Sequence, residues 1–142
     1  MFRTLLIGTA ILTMATPAFA AIKGLTAPQA VAAFNKSTTS PSSDVEYAMC
    51  MGYWYEWGIY TMKNFRDPFI SNLPDNMKST GALMTQLHWQ EKTKTAYAGT
   101  GRSAEAQALS ENGRAAVSTA IAENNAASLN MVFETLGRCK AP

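Results

Sequence analysis

A chain of 142 residues with 12 basic and 10 acidic side chains has room for one ordinary domain and lacks the clustered cations of a nucleic-acid binder. Hydrophobic residues make up 47 % and charged ones only 15 %, which excludes an intrinsically disordered chain. The expectation is one folded domain that does not bind nucleic acid.

Residues 1–20 read as a secretory signal peptide. Arg3 is the charged start, residues 5–12 form the apolar run, and Ala18-Phe19-Ala20 has the small-residue form of a cleavage site. That run is too short to span a bilayer, so the expected product is a periplasmic or secreted domain over residues 21–142 with no stable membrane insertion. Loss of Arg3 leaves 11 basic residues against 10 acidic.

In the mature chain, Thr26 with Gln29 three residues later forms a capping-box pattern, and Pro28 suits a first turn, so a helix is expected over 27–35. A polar loop over 37–43 carries Pro41, which forbids helix continuation. Ser43 or Asp44 then caps a helix over 44–66 that has almost no polar face, as in a helix buried on all sides. Glu46, Glu56 and Lys63 argue against a membrane span there. Gly52 and Gly58 inside it make sense if neighbouring helices approach closely. Asp67-Pro68 stops the helix.

Residues 69–73 read as an irregular or single-turn link. Asp75 opens a helix over 75–98 with Met77, Leu83, Met84, Leu87 and His88 near one side. Gly99-Thr100-Gly101 is a stop. Ser103 caps an Ala-rich helix. A single rod from there to Arg138 would far outrun a domain of this size, so a break is expected at Asn124-Asn125, with Gly113 the second choice. Leu129, Val132, Phe133 and Leu136 then mark the last helix at i, i+3, i+4 and i+7.

Two cysteines in an exported chain pair most simply with each other, so a Cys50–Cys139 disulfide is expected. Cys139 extends the stripe of the last helix, which places that helix on the Cys50, Trp54 and Trp57 side of the central one. The fold class is an all-α bundle of four or five helices.

Catalytic machinery is scarce. Glu56, between Tyr55 and Trp57, is a lone carboxylate in sequence, and a cell-wall hydrolase using it is one reading; an ion-paired structural Glu is the other. His88 is the only histidine and has no nucleophile motif beside it. Met49, Met51, Met62, Met77, Met84 and Met131 are scattered as core fillers are, not clustered as copper ligands. No metal, cofactor or enzymatic role is expected. The aromatic run is the better functional signal. Six of the fourteen residues over 47–60 are aromatic and point around most of the helix, so some must reach the edge of the core. Tyr53, Tyr55, Glu56 and Tyr60 are the expected binding residues. The alternative is a small-molecule or lipid-binding bundle whose aromatics line an internal pocket.

The runs Leu25-Thr26-Ala27-Pro28-Gln29-Ala30-Val31 and Tyr47-Ala48-Met49-Cys50-Met51-Gly52-Tyr53, with Cys139, resemble the periplasmic immunity proteins associated with type VI secretion. Where that pattern carries further cysteines, this chain has Phe34-Asn35 and Pro68-Phe69. The resemblance implies a helical protein that neutralises a peptidoglycan-cleaving effector, a cell-wall hydrolase, by binding it.

Overall fold

Thr26 opens the first helix as its spacing predicts: its Oγ1 accepts from the Gln29 N–H, and Gln29 Oε1 accepts from the Thr26 N–H at 2.9 Å. The computed structural model describes residues 21–142, so the expected signal peptide lies outside the described residues. The helices are α1 (Ala27–Lys36), α2 (Asp44–Lys63), α3 (Pro68–Ser71), α4 (Ser79–Tyr97), α5 (Ser103–Glu123) and α6 (Ala126–Arg138). No strand occurs among the described residues. The all-α class holds, with α3 a single turn.

Two elements differ from the sequence reading. α2 ends at Lys63, where the Asn64 side chain donates back to the Tyr60 carbonyl. The expected helix over 75–98 is two pieces, a 3-10 turn over Asp75–Met77 and then α4. At the first residue of α4 Ser79 takes a positive φ of 43°, and its N–H donates to the buried Thr61 hydroxyl of α2 at 2.9 Å. The contact to α2 thus replaces the local cap that α4 lacks.

α2 is the centre of the molecule. α4 and α5 pack along opposite flanks of it and scarcely meet each other, and α1 packs on α6. Close approach on the α5 side depends on glycine: a Cβ at Gly52 would collide with the Ser110 backbone of α5, and one at Gly113 with the Met49 backbone of α2. Gly113 is therefore a packing residue inside a continuous α5, not a break.

The core is an aromatic stack. Trp57 lies parallel to Tyr60 at 5.5 Å and edge-on to Phe133 of α6 at 5.0 Å, while Phe34 of α1 meets Trp54 edge-on at 6.1 Å. Buried indole N–H groups need acceptors. Trp54 Nε1 and Trp89 Nε1 both donate to the Cys139 carbonyl, at 2.7 and 2.5 Å, and Trp57 Nε1 donates to the Met77 carbonyl. The Cys50–Cys139 disulfide is present. It holds the end of α6 on α2 on the side the sequence indicates.

α5 and α6 part at Asn124, which adopts φ 49° and ends α5. Its side chain accepts from the Lys23 and Gly24 N–H groups and donates to the Ala21 carbonyl. Asn125 caps α6 by accepting from the Ser128 N–H.

Candidate functional site

α2 presents one face between its two flanking helices, and along that face runs a groove. Tyr55, Ile59 and Met62 from α2 meet Leu83 and Gln86 from α4 in an apolar stretch of about 90 Å³. One turn back along α2, Met51 floors a wider polar cleft of about 450 Å³ between α4 and α5.

Tyr55 stands between the two stretches, 42 % exposed. The Arg114 guanidinium of α5 lies over its ring, 4.5 Å from the centroid, a cation–π contact. Arg114 Nε also donates to Glu56 Oε2 at 3.1 Å, and the Ser118 hydroxyl donates to Glu56 Oε1 at 2.9 Å. Both Glu56 oxygens are thus engaged by α5, and the carboxylate fastens α2 to α5 as the ion-paired reading of this residue expects.

The expected set Tyr53, Tyr55, Glu56 and Tyr60 does not form one surface. Tyr55 and Glu56 meet through Arg114. Tyr53 turns the other way, toward the surface between α5 and α6, where burial raises the pKa of its hydroxyl. Tyr60 is a correction to the sequence reading: at 1 % exposure it belongs to the core, because its position on α2 faces Trp57 and not solvent. Burial, with a further push from Asp67, raises its hydroxyl pKa to about 12.

α4 carries a second group of exposed apolar side chains. Leu83, Met84 and Leu87, grouped on one side in the sequence reading, face solvent, with Met84 62 % exposed. The buried positions of the same helix are Ala82, Thr85, Gln86, Trp89, Thr93 and Tyr97. Ala82 of α4 lies over Gly58 of α2, where a Cβ at Gly58 would stand at an ordinary 3.6 Å from the Ala82 Cβ. Two of the buried polar side chains are satisfied within the helix: Thr85 Oγ1 donates to the Gly81 carbonyl and Gln86 Nε2 to Gln90 Oε1. The first half of α4 thus exposes its long apolar side chains, while its second half buries Trp89 and Tyr97 and turns Glu91, Lys92 and Lys94 to solvent.

Of the eight exposed large hydrophobic side chains among the described residues, Tyr55, Met62 and Leu83 line the groove between α2 and α4, and Met84 and Leu87 line a neighbouring depression beside Tyr47. Scattered single exposures are normal in a monomer, whereas a contiguous apolar patch marks an interaction surface. Sequence reasoning missed Leu83 and Leu87 as surface residues and Arg114 altogether. The signal for the first was Thr85, Gln86 and Thr93 at i, i+1 and i+8 around Trp89, a polar set at helical spacing on the buried side.

His88 is half-buried on α4, edge-on to Trp89 at 4.8 Å, and its Nε2 has no partner. Among the described residues no group of three or more His, Cys, Asp or Glu side chains is placed to hold a metal ion. No described helix is long and apolar enough to cross a membrane. Comparison with family models, curated proteins and solved structures finds no match for the chain.

Proposed function

We propose that this is an exported binding protein that holds another protein on the α2/α4 face, and that the partner is a cell-wall-degrading effector which it inhibits. One observation carries the binding reading: α4 turns Leu83, Met84 and Leu87 to solvent while burying Thr85, Gln86 and Thr93. A helix arranged only for stability would do the reverse, because each fully buried Leu or Met side chain contributes about 2 kcal/mol. Tyr55, a residue type enriched at binding hot spots, stands at the edge of this face with Arg114 stacked on it. The disulfide supports an oxidising compartment. The choice of a hydrolase as partner rests on the resemblance of residues 25–31, 47–53 and Cys139 to type VI immunity proteins.

The test uses the oxidised chain over residues 21–142 as bait in envelope extracts. Any captured hydrolase is then assayed on purified peptidoglycan with and without one equivalent of the chain. Hydrolysis suppressed at stoichiometric ratio supports the inhibitor reading. A captured hydrolase that keeps full activity, or the absence of any stoichiometric protein partner, contradicts it.

A further inference from the structure

A thioether packs like a hydrocarbon but, unlike one, is open to oxidation, and the sulfoxide that results is polar. The described methionines fall into two sets. Met77 is fully buried and Met49 and Met51 are half-buried, whereas Met62, Met84 and Met131 are 57, 62 and 69 % exposed. Two of the exposed three belong to the α2/α4 face. Met62 lines the groove with Leu83, and Met84 lines the depression with Leu87. Met131 lies elsewhere, on the surface between α5 and α6.

Exposure lets an oxidant reach Met62 and Met84 while the chain stays folded, and it leaves the oxygen of the product in water, so the fold loses little. Docking is another matter. A partner seated on this face strips nothing polar from a thioether, but it must strip water from a sulfoxide oxygen, which carries most of the S–O dipole. Leucine at the same two positions would give a similar apolar contact with no such sensitivity. The two methionines therefore make the face dependent on the redox state of its surroundings, which the leucines beside them do not.

We propose that Met62 and Met84 are oxidation sites that switch off the binding face, with a two-electron oxidant, a hydroperoxide or a hypohalous acid, as the co-reactant. With hydrogen peroxide the sulfur lone pair takes the nearer oxygen. The S–O bond forms, the O–O bond breaks, and the proton on the transferred oxygen passes to the departing hydroxide as water. The sulfur loses two electrons and the peroxide gains them. A methionine sulfoxide reductase, drawing electrons from a thiol, reverses the step. This rests on the reading of the α2/α4 face as a protein-binding surface and adds its regulation.

The test treats the disulfide-bonded chain over residues 21–142 with hydrogen peroxide and maps sulfoxides by peptide mass spectrometry. Met62, Met84 and Met131 should oxidise before Met49 and Met51, and Met77 last, with the melting temperature nearly unchanged. Retention on a phenyl column reads the face without any partner. It should fall on peroxide treatment, and fall much less in the double variant Met62→Leu with Met84→Leu, in which Met131 still oxidises. Capture of the protein partner from envelope extracts should drop about tenfold for the treated wild type, hold for the treated double variant, and return after incubation with the reductase. Equal losses in wild type and double variant, unfolding on treatment, or full capture by a chain oxidised at both positions overturns the switch and leaves the binding reading standing. An untreated chain that captures no protein overturns the binding reading itself, and the switch with it.

Discussion

Glu56 shows how much a single side chain can hide in a sequence. Its neighbours Tyr55 and Trp57 are adjacent and legible, but its partners Arg114 and Ser118 lie 58 and 62 residues away and become visible only once α5 is docked. Local devices fare better: the boxes of Thr26 with Gln29 and of Ser43 with Glu46 are both formed, because three-residue spacing within one helix end decides them. Tyr60 lies between these cases. Its type suggested an edge position, but the rotation of α2 about its axis, set by Trp54 and Trp57, puts it inside. That burial has a measurable consequence. The unfolded hydroxyl titrates near 10 and the folded one at about 12, so the folded chain keeps a proton that the unfolded chain sheds. The contribution is present below pH 10 and is lost as pH rises from 10 through 12, on the order of 2–3 kcal/mol in all. Urea unfolding at rising pH should therefore show a steeper alkaline loss for the wild type than for Tyr60→Phe. Parallel losses would mean that Tyr60 is solvated.

Helices meet along faces, and two glycines of α2 make opposite predictions about those faces. Gly52 has the Ser110 backbone where a Cβ would go, which a rigid neighbouring helix cannot yield. Gly52→Ala should cost about 2 kcal/mol or more by forcing α5 away. Gly58 meets only the Ala82 Cβ at an ordinary 3.6 Å. Gly58→Ala should leave stability unchanged or raise it by up to about 1 kcal/mol through helix propensity. Urea denaturation of both variants checks this, and similar losses in the two would contradict the packing described. The sequence shows that close approach occurs on α2 but not which glycine is tight, since both look alike without the neighbour. On α4 the sequence groups Leu83, Met84 and Leu87 near one side but does not tell which way that side faces. Apolar periodicity finds the core side of a helix only when burial is what the helix is selected for. Here Leu83, Met84 and Leu87 lie outside because Ala82, Thr85 and Gln86 are what fit against α2.

At the scale of the whole molecule, the last helix is fixed to the first half of the chain by three kinds of contact. The disulfide links α2 to the end of α6, two indoles share the Cys139 carbonyl, and Arg138 pairs with Glu46. Closing a loop of this length is worth on the order of 4 kcal/mol in the chain-entropy model. The double variant Cys50→Ser with Cys139→Ser should unfold at correspondingly lower urea concentration; an unchanged midpoint would mean that the indoles suffice. Acid should also weaken the fold. Val45 N–H and Arg102 lower the Asp44 pKa, Arg102 lowers that of Glu105, and the Ser42 N–H with Arg138 lowers that of Glu46. Carboxylates with depressed folded values stabilise above about pH 4 and lose that contribution as pH falls through the folded values. Arg102→Ala should move the acid unfolding midpoint to higher pH. The disulfide, the helical class and the Asn124 break were all legible, because cysteine count, periodicity and length decide them. What the molecule binds was not, because no motif announces it.

The exposed apolar face of α4 is the centre of the functional account, and the double variant Leu83→Ser with Leu87→Ser tests it most directly. Its melting temperature should stay within a few degrees of the wild type, since both side chains are at least 43 % exposed. Its capture of the protein partner that the wild-type chain retains should fall by at least tenfold. A variant that fails to fold would return the two leucines to the core, and one that folds and captures that partner as well as the wild type would show that the partner binds elsewhere.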